Sequence, residues 1–143
     1  MSYTSRPFHL NDLEAITRLS AQWGYAVSEK NIALWLQQIL QHPDHKLIVT
    51  QMEGKIMGWI HGIYSLRIAS APFIEIAGLV VDAQYRKMGM GKQMVEEIIQ
   101  WAKSKNCSQI RVRCQIARKE ANIFYQRLGF QEVKQQKVYD LFV

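Results

Sequence analysis

Cysteine, proline and long apolar runs are all scarce in this sequence, which has two cysteines and three prolines in 143 residues. Cys107 and Cys114 are too few for a disulfide framework and do not form a CxxC pair, so a stapled scaffold and a zinc ribbon are both excluded. They read as reduced thiols, with Cys114 in the core. No apolar run reaches the length of a membrane span, and the opening residues MSYTSRPFHL hold no apolar signal region. The expectation is a cytoplasmic protein with no membrane partner. The four histidines are scattered, and the close pair His42 and His45 flanks Pro43 in a turn; it reads as solvated, and no metal is expected. Internal repeats, low-complexity tracts, recognition helices and RNA-binding signatures are missing as well, so nucleic acid is not an expected partner.

What is present is ordinary for a globular chain: 48% hydrophobic and 21% charged residues, enough for one core and one domain over residues 1–143. The formal net charge of +6, taken alone, fits nucleic acid, an anionic cofactor or acidic substrates as well as a plain solvated basic surface.

The pattern along the chain predicts β α α β β β α β α β β. The stretch "RPF" reads as a strand end. Asn11 is the predicted N-cap of a helix over 12–23, with Glu14 as its capping-box partner. Ser28 caps a second helix, whose apolar residues Ile32, Trp35, Leu36, Ile39 and Leu40 recur with helical period until Pro43. Strands at 46–51 and 56–66 form a hairpin around Gly54. The nearly continuous apolar run "FIEIAGLVVD" (73–82) reads as a strand covered on both faces. A helix burying Met94, Val95, Ile98 and Ala102 follows, then a strand at 110–115 and a short helix over Lys119–Leu128 stopped by Gly129. Two final strands are expected at Phe130–Val133 and Val138–Phe142. Strand–helix–strand units imply a right-handed parallel crossover and the hairpins imply antiparallel neighbours, giving a mixed α/β sheet.

The stretch "YRKMGMGKQM" (85–94) carries the chemistry. Glycine costs a helix about 1 kcal/mol relative to alanine, yet Gly89 and Gly91 stand at the mouth of one. First-turn amides have no intrahelical acceptor, and the helix dipole places positive potential there. Without Cβ atoms, the backbone of a glycine loop can approach a phosphate closely, and Arg86, Lys87 and Lys92 add countercharge. A P-loop would need Ser or Thr where Gln93 stands, and a dinucleotide fingerprint would need Gly at Met94. A strand-to-helix turn that simply needs small residues fits the same spacing.

The stretch "LVVDAQYRKMGMGKQMVEEI" resembles the pyrophosphate-binding motif of the GNAT superfamily of acyl-CoA-dependent N-acetyltransferases, Q/R-x-x-G-x-G/A after the fourth strand. "RKEANIFYQRLGF" (118–130) is similar to that family's second motif, R-x-x-A-x-x-F-Y-x-x-x-G-F, and the two stand in the family's order. One departure is Lys87, where the family very often has glycine. The resemblance implies a GNAT-like, mostly antiparallel sheet of six to seven strands with about four helices and a splayed parallel pair. It implies acetyl-CoA as acyl donor and direct transfer to a primary amine of a small molecule in a ternary complex. A peptide or protein acceptor, and a CoA-binding regulatory domain without catalysis, are the alternatives. Such proteins often pair as homodimers.

Residue roles follow from the same resemblance. Backbone amides of Leu79, Val80 and Val81 would hold the pantetheine arm and the acetyl oxygen. Met88, Gly89, Met90 and Gly91, with Arg86, Lys87 and Lys92, would hold the pyrophosphate. Glu75, the one acid inside the apolar strand, is a candidate base whose pKa desolvation would raise, or else a partner of Arg111 or Arg113. Tyr125 matches the tyrosine that protonates the leaving thiolate, a neutral donor at pH 7, and Asn122 would reach the pantetheine or the sulfur. Arg118 is structural or touches the cofactor. Trp23 and Tyr25, between the first two helices, would box a cationic acceptor or cap the core.

Overall fold

The computed structural model describes residues 2–25 and 27–143, which divide into two compact units, residues 1–113 and Cys114–Val143. The first unit contains strands β1 (Thr4–Pro7), β2 (His45–Met52), β3 (Lys55–Ser65), β4 (Phe73–Val81) and β5 (Ile110–Val112). Its helices are α1 (Leu13–Gln22), α2 (Glu29–Leu40) and α3 (Met90–Ser104). The sheet order is β1-β2-β3-β4-β5; the first four strands are antiparallel, and β4 and β5 are parallel.

Alternation along β3 divides the unit into two layers. Trp59 packs with α1 and α2 in a cluster that includes Phe8, Ile16, Leu19, Val49 and Val80. On the other face, Gly58 approaches Met94, and Gly62 approaches Ile98 and Trp101. Met94 and Ile98 are fully buried there, as their helical period required.

Two features of β4 prepare the site. A bulge at Ala77 shifts the register, so His61 faces Gly78 while Gly62 faces Ile76. The parallel ladder then ends: β5 pairs with Ile74, Glu75 and Ile76 and goes no further. From Ala77 to Val81, β4 keeps β3 on one side and has no strand partner on the other among the described residues.

Several sequence expectations need correction. Five strands form, not six to seven. Phe130–Val133 and Val138–Phe142 make no strand ladder, and Val133, Val138, Tyr139, Leu141 and Phe142 are exposed. Alternating apolar residues mark a segment able to pair, but only a hydrogen-bonded neighbour makes it a strand. The Asn11–Glu14 capping box is replaced by a 3₁₀ turn at Leu10–Asp12, in which the His9 amide donates to the Asp12 carboxylate at 3.0 Å. Arg6 grips the same carboxylate through two hydrogen bonds of 2.7 and 2.8 Å, so the helix entry is set by a partner on the preceding strand, β1. Ser28 does cap α2, accepting from the Asn31 amide at 3.2 Å. Cys107 is the buried thiol, donating to the Pro72 carbonyl at 3.3 Å, whereas Cys114 is half-buried. The His42–His45 pair is not simply solvated, because His45 hydrogen-bonds His61.

The second unit holds α4 (Lys119–Arg127), closed by Gly129 at φ +100° with the Phe130 amide bonding the Tyr125 carbonyl.

Candidate active site

The glycine loop begins where β4 ends. Asp82, buried, accepts from the Gln84 amide at 3.0 Å and from Arg18 at 3.2 Å, which fixes the turn out of the strand. Burial alone would raise its pKa, but these donors hold the carboxyl below its ordinary value. The Arg86 guanidinium lies 3.9 Å from the centre of the Trp23 ring, whose indole nitrogen donates to the Val81 carbonyl at 3.4 Å. Trp23 thus ties the end of α1 to this loop.

Lys87 adopts φ 66°, the left-handed region that glycine enters without strain. Gly89 follows at φ 87° as the N-cap of α3. The Tyr3 hydroxyl donates to the Met88 carbonyl at 2.9 Å and would stand 2.9 Å from a Cβ on Gly89. No side chain caps α3, its first turn contains no acid, and its first helical bond runs from the Gln93 amide to the Gly89 carbonyl at 3.0 Å. The amides of Met90, Gly91 and Lys92 therefore have no intrahelical acceptor. Met90 turns its side chain into the core, 1% exposed, which leaves its amide to the loop. An uncapped helix start, a left-handed glycine and three nearby cations fit a pyrophosphate.

At the other end of the open half of β4 lies a cleft of about 260 Å³ under α1 and α2. Tyr25, Trp35, Trp59 and His61 line it together with Ala77 and Gly78 of the bulge. The six-membered ring of Trp59 lies against Gly78, where any Cβ would fall 2.6 Å from two ring atoms. Its buried indole N–H has no hydrogen-bond partner among the described residues. Burial pushes the His61 pKa down to about 4, so its imidazole is neutral at pH 7. Tyr25 lines this cleft, whereas Trp23 stands at the glycine loop.

Glu75 is ion-paired with Arg113, and Arg111 lies over the Phe73 ring at 4.6 Å; the two arginines reach across β4. Glu75 is not among the residues lining the cleft. In the second unit, the Asn122 side-chain amide donates to the carbonyls of Gln115 and Arg118 at 3.0 and 2.7 Å. The Tyr125 ring makes edge contacts with Phe124 and Phe130, with centroids 5.1 and 5.5 Å apart. Arg118 precedes α4 as its N-cap.

Sequence reasoning missed His61, Trp59 and Trp35 as cleft residues. The one signal on β3 was the spacing of Trp59 and His61, which puts both on one face of a strand.

The chain matches the family model described as acetyltransferase (GNAT) family over residues 11–130. It is 27% identical to an uncharacterised N-acetyltransferase of Methanocaldococcus jannaschii over 144 aligned positions, covering 92% of this chain and 62% of the relative. The chain therefore spans about three fifths of that relative's length. Among solved structures, it is similar to AAC(6')-Iy in complex with the bisubstrate analogue CoA-S-monomethyl-acetylneamine, with a TM-score of 0.89, 18% identity and 100% of both chains covered. Aminoglycoside 6'-N-acetyltransferase AAC(6')-Ih from Acinetobacter baumannii gives a TM-score of 0.89 at 14% identity, with 99% of both chains covered. These two likenesses concern the fold.

Proposed function

The chain belongs to the GNAT acetyltransferase family, and on that premise we propose that it transfers an acetyl group from acetyl-CoA to a primary amine of a small molecule, with donor and acceptor bound together. The observation that carries this reading is the open half of β4. Residues Ala77–Val81 connect an uncapped helix start at one end with an aromatic cleft at the other.

When bound, acetyl-CoA supplies an acyl thioester already activated toward amines. Arg86, Lys87 and Lys92, with the amides from Met88 to Lys92, hold the pyrophosphate. Backbone amides of Leu79, Val80 and Val81 that point away from β3 receive the pantetheine arm and polarise the acetyl oxygen. Tyr25, with Trp35 and Trp59, surrounds an ammonium group; aromatic faces attract cations by about 0.5–2 kcal/mol. Trp23 contributes by stacking on Arg86. Tyr125 is the residue that the resemblance assigns to protonate the leaving sulfur, and Asn122 holds the entry to α4 through its two backbone bonds. Glu75, the base that the resemblance assigns, must first leave Arg113 to accept a proton, directly or through water.

The cleft also favours a small acceptor. Pockets for drug-sized ligands measure about 300–1,000 Å³, and this one, at about 260 Å³, suits one amine-bearing ring or chain end.

The test is thermal unfolding with acetyl-CoA, CoA, ATP or NAD, followed by thiol release with a panel of primary amines. A ligand at about 100 times its Kd stabilises by about 2.7 kcal/mol, several degrees for a chain of this size. Stabilisation by acetyl-CoA and CoA alone, with thiol release on a small amine, supports the reading. Failure of both to stabilise overturns it, and thiol release with peptide amines alone moves the acceptor to the peptide class.

A further inference from the structure

The histidines that the sequence scatters over positions 42, 45 and 61 form one row in the fold. His61 sits on β3 opposite Gly78, and its ring lines the cleft beside the bulge. His45 opens β2, with its ring centroid 5.1 Å from that of His61 and its Nδ1 2.8 Å from His61 Nε2. His42 lies against His45 with ring centroids 4.8 Å apart, and its Nδ1 accepts the Asp44 amide at 3.1 Å. His61 and His45 are half-buried and His42 is exposed, so the row runs from the cleft to solvent.

The surroundings leave proton acceptance in the cleft to His61. Among the described residues lining the cleft there is no carboxylate, and Tyr25 is the other titratable group. α1 and α2 present Ser20 and apolar side chains, β4 presents Ala77 and Gly78, and Glu75 farther along β4 is engaged by Arg113. Outside the cleft, Asp44 beside His42 faces Lys105 at 3.7 Å.

Resting on the transfer reading above, the chemistry demands an exit for a proton. An amine enters as its ammonium form and must lose one proton before it can attack, and the overall reaction releases one. We propose that His61 and His45 are a proton relay that carries this proton from the cleft to solvent, with His42 packed against its outer end. The proton arrives at His61 Nδ1 as another leaves His61 Nε2 for His45 Nδ1. His45 then gives its Nε2 proton to water, since the one acceptor nitrogen of a neutral His42 is taken by the Asp44 amide. No bond between heavy atoms changes and no electron is transferred; ring rotation restores the starting tautomers. A neutral resting His61 suits this task, because it passes a proton without storing charge in an apolar cleft.

The experiment uses the full chain, acetyl-CoA and a panel of neamine, glucosamine 6-phosphate and a lysine-containing peptide, with free thiol as readout. His45 does not line the cleft, so His45→Gln should lower kcat at least about tenfold while acceptor KM and CoA affinity stay unchanged. Free imidazole should restore part of the rate to His45→Ala, which a purely structural role would not allow. An unchanged kcat, or a loss that imidazole does not restore, overturns the relay and leaves the transfer reading intact. A wild type that releases no thiol with any amine overturns the transfer reading, and the relay with it. Should the His45 variants fail to fold, the wild-type ¹⁵N spectrum decides. The relay needs His61 and His45 both neutral and both protonated at Nε2 at pH 7; His61 protonated at Nδ1 overturns it.

Discussion

The glycine loop and the aromatic cleft lie at opposite ends of the same open half-strand, yet they are built from different material. The loop works through backbone: a left-handed Gly89, three amides without intrahelical acceptors and a carbonyl held by Tyr3. The cleft works through side chains gathered from α1, α2, β2, β3 and the chain between the first two helices, set over Ala77 and Gly78 of β4. A site made of backbone constrains residue types at fixed spacing, because only certain residues allow that backbone path. A site made of side chains constrains positions in space, which can be reached from anywhere in the chain.

The comparison breaks most sharply at Gly89. Gly89→Val puts a branched side chain at φ +87° and forces Tyr3 off the loop. Left-handed backbone alone costs a non-glycine residue about 1–2 kcal/mol. Acetyl-CoA affinity should fall by at least about a hundredfold, roughly 2.7 kcal/mol, while the folded core persists. Calorimetric titration alongside circular dichroism checks this, and unchanged affinity would remove the loop from the site.

His61 offers the corresponding probe of the cleft. Its pKa is lowered to about 4 by burial, below the ordinary 6.5, so the unfolded chain binds the proton more readily. Its contribution is complete above pH 6.5 and is lost as pH falls toward about 4, up to about 3 kcal/mol. Urea unfolding across that window should show wild-type stability declining and His61→Phe declining less; parallel curves would contradict the buried neutral imidazole.

Gly78 lies at the cleft end of the half-strand that links the two sites. Gly78→Ala drives a methyl into the Trp59 ring, and overpacking of this kind costs about 1–3 kcal/mol. The Tm should drop by several degrees, with acceptor KM rising and acetyl-CoA affinity nearly constant. A matching loss of acetyl-CoA affinity would mean that loop and cleft are not separable.

The smallest effect is expected at Lys87, whose φ of 66° strains a lysine where glycine would rest. Lys87→Gly should relieve about 1 kcal/mol of strain, less the entropy that glycine returns to the unfolded chain. A lower Tm would mean that the lysine side chain contributes more than its backbone costs.

Legibility in the sequence followed the same division. The loop, the Ser28 cap, the buried face of α3 and the hairpin were readable because each is fixed by residues within one or two turns of chain. The Asn11 cap failed because Arg6 claims Asp12 and moves the turn. The terminal strands failed because alternation describes a face without supplying the neighbour that would bond it. Glu75 was readable as an unusual acid within an apolar strand, but its pairing with Arg113 depends on β5 lying alongside.

By itself, then, the sequence determined the helix and strand periods, the glycine loop at the start of α3 and the resemblance to the family to which the chain belongs. These are local rules of sterics and hydrogen bonding that a short window of residues can state. Only the tertiary structure decided that β4 opens beyond Ile76, that Trp23 turns to Arg86 while Tyr25 turns to the cleft, and that His42, His45 and His61 meet in a row. Those outcomes depend on sheet register, where one bulge at Ala77 changes which side chains share a face.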